Sequence, residues 1–572
     1  MSSFYDKSSL VLIPSGTKTS KVYSQKPTNG DGDFDFTRST AATRVNADGN
    51  IEKEKSNLLL QSNQFDTTWI TPDSTITGGQ SGYDGTNNAW LLTATNAFHR
   101  VVQSVSQSGV KRFSVYAKAN TNDYLLLGCF DGAHYYATFN LATGAVDSNN
   151  INAISPSIEN VGNGWYRCSA TWVGTTTDVR IASQTTGGQS GWASTTSGSI
   201  YIQDAQLNQG LIAQEVITTT TTALYGGITD NVPRLDYTDS SCPALLLEPQ
   251  RFNAIDSSEY AGAWSAIDSN ITKTDNATTS PEGVNNAVKL EGLTGSANNQ
   301  IVNFGTTLLD GVNVVGKTYT ASVYIKPVNP SDVGDDIYLS IQRSNGDYEG
   351  LNVTFEIDSA DWKRYDLTYT FTGAGAGDQV GAVLKILRNS TTIDDIYIWG
   401  AQLEEGSHPT SYIPTYGTSV TRSNDETDVT GLQSKGILSS TQGTMFFHIT
   451  DILGTAVVFN AQTANDLSYA LRFVIRDIGF TTYQRVNNVQ TTIRANNSLA
   501  LSEWKIAMSW NGTNLITSLN GTSYIDTIDA SISSQLDKIA RVNPQAISVT
   551  TNQILVFPTQ LTEAELNDLT TI

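Results

Sequence analysis

Carboxylates are the residues here that come closest to a catalytic arrangement, standing as the adjacent pairs Asp335-Asp336, Asp394-Asp395 and Glu404-Glu405. Two carboxyl groups flanking a glycosidic bond can serve as acid and nucleophile. Neighbours on a strand point to opposite faces, so these pairs suit that reaction poorly and are expected as solvated edge charges. His99, His134, His408 and His448 are scattered singly, which gives no basis for a histidine metal or acid–base site. Cys129, Cys168 and Cys242 are widely spaced and odd in number. No disulfide framework or metal pattern follows from them, and they are expected as small buried apolar residues. Asp31-Gly32-Asp33 begins like a calcium loop but lacks the later ligands and the closing Glu, so a plain turn is expected and no cofactor. G-x-S-x-G, Walker A and H-E-x-x-H patterns are absent from the sequence, and no catalytic residue is assigned.

Sugar binding is the chemistry that remains. It needs aromatic faces against sugar C–H surfaces, with amides and carboxylates for the hydroxyls. Asp131, His134, Tyr135 and Tyr136 cluster near a loop and strand start, and Trp192 lies in a Gly/Ser/Thr loop. Tyr348 lies in Asn345-Gly346-Asp347-Tyr348-Glu349-Gly350, and Tyr483 and Tyr524 are candidates farther on. The competing reading for each is packing, the usual role of aromatics in a sandwich. Trp165, Trp362, Trp399 and Trp504 sit in strong strand patterns and are expected to pack.

The elements that must hold these residues are strands. With 572 residues the chain exceeds one core. Charged residues are only 16%, and Gly, Ser, Thr and Asn supply the many tight turns that short strands require. A net charge of −21 disfavours nucleic acid and anionic lipid as partners. No apolar run reaches the roughly 20 residues of a membrane span, and Leu10 to Ile13 is too short for a signal-peptide core. The expectation is synthesis in a cytoplasm, followed by release on lysis or assembly into a particle.

Asp394 to Ser423 is echoed upstream, with Gln206-Leu207 and Gln402-Leu403 standing 196 residues apart. Other landmarks recur in order. Ser114 to Lys118 matches Ser322 to Lys326, the Trp165 strand matches Trp362 to Tyr365, and Leu58 to Leu60 matches Leu245 to Leu247. Periods this long indicate duplicated domains, and strand signals at short spacing indicate β-sandwiches, most plausibly jelly rolls. The expected organisation is an extended N-terminal arm or anchor at 1–56, jelly rolls at 57–210 and 244–412, connectors at 211–243 and 413–434, and a third sandwich at 435–572. In that last part Asn511-Gly512 and Asn520-Gly521 read as hairpin turns, and Thr562 with Glu565 reads as a capping box.

Three blocks carry a resemblance. They are Thr37-Arg38-Ser39 through Gly49, Pro233-Arg234-Leu235-Asp236-Tyr237 through Arg251, and Gly400-Ala401-Gln402-Leu403-Glu404 through Thr415. Together they resemble bacteriophage tail and fibre proteins with carbohydrate-binding-module-like domains. Trp504-Lys505, Asn511-Gly512 and Val556-Phe557 before Leu561 to Leu566 are similar to concanavalin-A-like, laminin-G-type sandwiches. The resemblance implies an all-β, non-enzymatic virion protein, a tail- or head-fibre subunit. Its partners would be other virion proteins, sister chains in a trimer, and a host-surface glycan. Two other readings stay open: a component of a glycan depolymerase, or an architectural spacer that binds no sugar.

Overall fold

Alternation of apolar and polar residues, punctuated by Gly and Asn at positive φ, makes almost all of this chain strand and turn. The computed structural model describes residues 2–147, 152–188, 192–266, 270–296, 300–304, 314–343, 349–373, 382–453, 456–476, 479–496, 501–541 and 548–572. The fold is all-β, in several sandwiches. Among the described residues the elements of the first sandwich form sheets of five and six strands, and those of the second form two sheets of five.

The first two sandwiches share a plan. In the first, one sheet runs Ile154–Gly162, Trp165–Trp172, Lys111–Ala119, Ser199–Gln209, Ala89–Ala94, Ser74–Gln80. In the second, Lys363–Thr370, Thr318–Pro327, Ile396–Glu405, Ala287–Glu291 and Thr272–Thr278 follow the same order. Both central pairs slip register at one place, between Ser114 and Tyr116 and between Ser322 and Tyr324. The extra residue of each bulge, Asp204 or Gly400, takes a positive φ of 48° or 65°. Hydrogen bonds repeat as well. Asn57 donates to the carbonyls of Ala205 and Ile217 and accepts from the amides of Leu59 and Leu207. Asn253 does the same with Ala401, Ile413, Ile255 and Leu403.

That scheme corrects the expected opening of the second sandwich. The counterpart of Asn57-Leu58-Leu59 is Asn253-Ala254-Ile255. Ala244–Leu247 instead pairs with Ser548–Phe557 in the third sandwich. An apolar strand run is interchangeable between sheets, whereas a buried Asn serving four backbone groups is not.

The third sandwich is assembled from three stretches of chain. Among the described residues one of its sheets has eight strands and the other nine. Leu10–Leu12 and Ala244–Leu247 both pair with Ser548–Phe557, and Phe34–Thr37 pairs with Glu426–Thr430. The N-terminal stretch is therefore not a free arm, and its Leu10, Val11, Leu12, Phe34 and Phe36 are fully buried. An apolar strand left unpaired would expose backbone donors and acceptors as well as side chains. The chain closes with the helix Glu563–Thr570 under the expected capping box of Thr562 and Glu565.

Two of the resembling sequence blocks meet the downstream Arg422 and Asp425 in one buried ionic joint, which the third block reaches through Ser411 on Glu248. Arg38 reaches Asp425 at 3.1 Å, Arg234 reaches Glu248 at 2.6 Å and also contacts Asp425, and Arg422 contacts Glu248. Arg541 donates to the carbonyl oxygens of Glu248 and Asp425. Against burial, the surrounding arginines hold the Glu248 and Asp425 carboxyls below the ordinary carboxylate range. Glu404, expected in solvent, lies in the interior. It accepts from Gln402 Nε2 at 2.7 Å and from the amide of Thr410 at 2.8 Å. Glu405 does face solvent and pairs with Lys317 at 3.0 Å. Cys129 and Cys168 are buried as expected, and burial pushes the Cys129 thiol up to about 12, while Cys242 is exposed. Asp33 of the turn-rich loop accepts from the amide of Ser24 at 2.8 Å, the part of a turn residue.

Candidate functional site

Strand alternation divides the cluster at 131–136. On His134–Asn140, Tyr135, Ala137 and Phe139 turn toward the core of the first sandwich, and Tyr136 turns to the outer face of its five-stranded sheet. There Tyr136 joins Leu126, Ala182, Trp192 and Ala193 in a small apolar cluster. Trp192 is stacked on His134 at 5.6 Å between centroids and meets Tyr136 edge-on at 6.4 Å. Trp192 and Tyr136 are 5% and 2% exposed, so they support the patch from below. His134 is the exposed ring.

Gly128 allows the indole to lie on the sheet. A Cβ there would stand 2.9 Å from the Trp192 ring and 2.5 Å from the carbonyl oxygen of Tyr135. The loop carrying Trp192 is pinned from below by His99, which is fully buried. Its Nδ1 donates to the Thr195 carbonyl at 3.2 Å, and its Nε2 accepts from the Ser183 amide at 3.2 Å. The Phe98 amide adds a bond to the Ala193 carbonyl at 2.8 Å.

Arg180, on Thr176–Gln184, organises the polar half of the patch. It donates to both Asp178 oxygens at 2.6 and 2.9 Å and to His134 Nδ1 at 3.0 Å, and its guanidinium lies 3.9 Å from the Phe130 ring centroid. A guanidinium can only donate, so Nδ1 of His134 is the acceptor and the ring proton sits on Nε2. Burial, then the charges of Arg180 and Arg100, push His134 below its ordinary range and keep the ring neutral at neutral pH. Phe98 completes the surface. It is 60% exposed and holds a φ of 64°, a left-handed conformation costly for a bulky residue. Its carbonyl accepts from Arg100 Nη1 at 2.8 Å, and among the described residues Arg100 Nε has no hydrogen-bond partner.

Of the sequence candidates, the structure brings together His134, Tyr136 and Trp192. Asp131 is exposed near them and accepts from the Ala133 amide at 3.1 Å. Tyr135 packs partly on the core, its phenol raised chiefly by the Asp131 charge. Tyr483 and Tyr524 belong to the third sandwich. Tyr483 pairs across strands with Arg472. Tyr524 packs on the core and on Phe480 at 5.6 Å, with Arg494 at 5.0 Å from its ring, which is a packing role. Tyr348 lies outside the described residues. Phe98, Arg100, Phe130, Asp178 and Arg180 are patch residues that sequence reasoning missed. For Asp178 and Arg180 a signal existed, since they alternate with Val179 and Ile181. For Phe98 there was none. Among the described residues no group of three or more His, Cys, Asp or Glu could hold a metal ion, and no helix is long and apolar enough to cross a membrane. The patch can stack a sugar ring and hydrogen-bond its hydroxyls.

No protein-family profile matches the chain, and no curated protein does. Among solved structures it is similar to the binding domain of botulinum neurotoxin DC in complex with rat synaptotagmin II. The identity is 13% and the TM-score 0.21, over 26% of this chain and 39% of that one. It is similar to Domain 4 of AbnA, a GH43 extracellular arabinanase from Geobacillus stearothermophilus, in complex with arabinotriose. There the identity is 12% and the TM-score 0.22, over 26% of this chain and 73% of that one. A third is the IT-sialidase CBM40 of Ruminococcus gnavus, at 13% identity and TM-score 0.19, over 23% of this chain and 84% of that one. This chain spans less than half the length of the neurotoxin chain, and none of the three likenesses carries an argument about its role.

Proposed function

We propose that this protein is a non-enzymatic structural protein of a bacteriophage virion, a fibre or appendage subunit on tail or head, which helps attach the particle to a host-surface glycan. The observation that carries the binding role is the outer face of the first sandwich. A strained, 60% exposed Phe98 stands there with His134, whose ring is backed by Trp192 and oriented by Arg180. Ring faces stack on sugar C–H surfaces, while Arg100, Asp131 and the Nε2 proton of His134 serve hydroxyls. The virion role rests on the resemblance of the three sequence blocks. Their meeting in one buried joint suits a protein that holds sandwiches in fixed relation. Sister chains, as a trimer, and other virion proteins are the partners this reading implies.

The test is binding of the purified protein to host cells before and after their surface polysaccharide is stripped. Saturable binding should be lost on stripping and should weaken about tenfold or more in Phe98→Ala combined with His134→Ala. Absence of binding by the folded protein would favour an architectural spacer. Release of reducing ends from the polysaccharide would establish a depolymerase, and absence from purified virions would end the virion reading.

A further inference from the structure

We propose a second, independent sugar site, in a cleft of about 730 Å³ where the N-terminal segment, the first connector and the second and third sandwiches meet, whose ligand is an amine-bearing saccharide of the glucosamine type. A cleft this size falls within the range that encloses small ligands. Four rings line it, the buried Tyr412 and the half-buried Tyr237, Tyr324 and Trp362. Trp362 was expected to pack entirely. Instead its Nε1 donates to the Thr279 carbonyl at 2.9 Å, which fixes the indole plane while leaving the ring partly in solvent.

The duplication shows why this face is open. In the first sandwich the counterparts are Tyr116 and Trp165, and Tyr83 stacks on Tyr116 at 3.8 Å, lies 6.3 Å from Trp165 and leaves Trp165 2% exposed. In the second, Arg364 lies 5.4 Å from the Tyr324 ring, as Arg167 lies 5.6 Å from Tyr116. Among the described residues no ring stacks face to face on Tyr324. The first sandwich stacks its own ring on this face, whereas in the second Trp399 meets Tyr324 only edge-on at 5.6 Å, and Tyr324 and Trp362 stay half-exposed.

Charge selects the ligand. The lining arginines are occupied, Arg44 by Glu52 at 2.8 Å and Arg364 by Thr410 O and Ser322 Oγ at 2.7 and 2.8 Å. Two of the lining carboxylates are served as well, Glu248 in the joint and Asp236 by the Val45 amide at 2.8 Å, but Asp361 and the neighbours Asp239 and Asp451 are less so. Asp361 is 95% exposed, with Lys326 no nearer than 4.0 Å. Asp239 stands beside Asp451 and Asp236, and burial and those two charges raise it above its ordinary range. Asp451 is set in place by a φ of 50°. Uncompensated carboxylates beside aromatic faces favour a ring that carries an ammonium group and repel uronic or sialic acids.

The experiment is titration calorimetry of the full-length protein with a glucosamine tetramer, its N-acetylated counterpart and an oligogalacturonate. The glucosamine tetramer should bind, and Asp451→Asn with Asp361→Asn, both at exposed positions, should weaken it about tenfold. Trp362→Ala should abolish binding, while Phe98→Ala should leave it unchanged. Equal binding of the acetylated tetramer, preference for the oligogalacturonate, or no binding would each overturn the proposal. Loss of binding in Phe98→Ala would assign the sugar to the first-sandwich patch instead.

Discussion

Gly128 decides whether the first-sandwich patch exists. Any Cβ at that position collides with both the Trp192 ring and the Tyr135 carbonyl. Gly128→Ala should therefore cost roughly 1–3 kcal/mol, as overpacking does, and lift the indole off His134. The readouts are a red shift of the tryptophan emission and a loss of glycan binding greater than the loss of stability explains. His408 makes a separate prediction. It is largely buried, with Nε2 3.1 Å from Ser548 Oγ, and it faces Arg251, Arg422 and Glu248. Burial, then those arginines, lower it from 6.5 to about 4. Below pH 6.5 the unfolded chain takes up a proton that the folded chain refuses until about pH 4. Stability should thus be full above pH 6.5 and fall by up to roughly 3 kcal/mol as pH drops toward 4. His408→Gln should flatten that part of a melting-temperature profile; an unchanged slope would refute the assignment. At this scale the sequence conveyed residue type but not depth. His134 and Trp192 were each legible as a candidate because their rings stand near loops in polar surroundings, but not as a pair. Nothing local revealed that Glu404 is interior and Trp362 half-open, since both depend on which segment folds over them.

Elements were far more legible, because strand alternation is a local signal. Lys111–Ala119, Trp165–Trp172, Ser199–Gln209, Ile396–Glu405 and Glu503–Asn511 all contain the expected runs. The Ala-Gln-Leu echo survived duplication for a physical reason. Gln206 and Gln402 each accept from the backbone of the departing chain, at Ile217 and Ile413, 2.8 and 2.7 Å away. The opening leucines misled because any apolar run fits a buried strand, and Ala244–Leu247 found its partner in the third sandwich. The true opening is marked by Asn57 and Asn253, each fully buried and each serving four backbone groups. Asn57→Ala and Asn253→Ala should each cost about 1–3 kcal/mol per stranded group, non-additively, and by similar amounts because the schemes match. Urea unfolding followed separately by exchange protection in the two sandwiches would check this. A large cost in one and none in the other would deny the equivalence.

The whole molecule turns on the ionic joint. Arg38, Arg234, Arg422 and Arg541 come from four separate stretches, and they converge on Glu248 and Asp425 with essentially no solvent. This is why the resembling blocks are charged yet lie between domains: they are the contact, not the surface. Sequence could name the blocks but not their convergence, because, Arg234 with Glu248 excepted, the partners lie more than a hundred residues apart. Such a joint adds little net stability over apolar packing, but breaking it from one side strands a buried charge, at roughly 3–5 kcal/mol. Arg234→Met removes one partner from both carboxylates at once, leaving Glu248 to Arg422 and Asp425 to Arg38. The damage should not stay local, since Phe34–Thr37, Ala244–Leu247 and Glu426–Thr430 all enter the third sandwich beside the joint. Hydrogen exchange should accelerate in all three segments together, while Tyr124–Phe130 of the first sandwich keeps its protection. Acid should act in the same way. Both carboxyls are held below their usual range, so the joint is intact at neutral pH and is lost only as pH falls below the ordinary carboxylate range toward their lowered values. That loss comes after the His408 step, so the wild-type protein should soften first near His408 and only then come apart at the third sandwich. Arg234→Met should collapse the two steps into one, and a mutant that retained both would mean that the sandwiches are held together by something other than this joint.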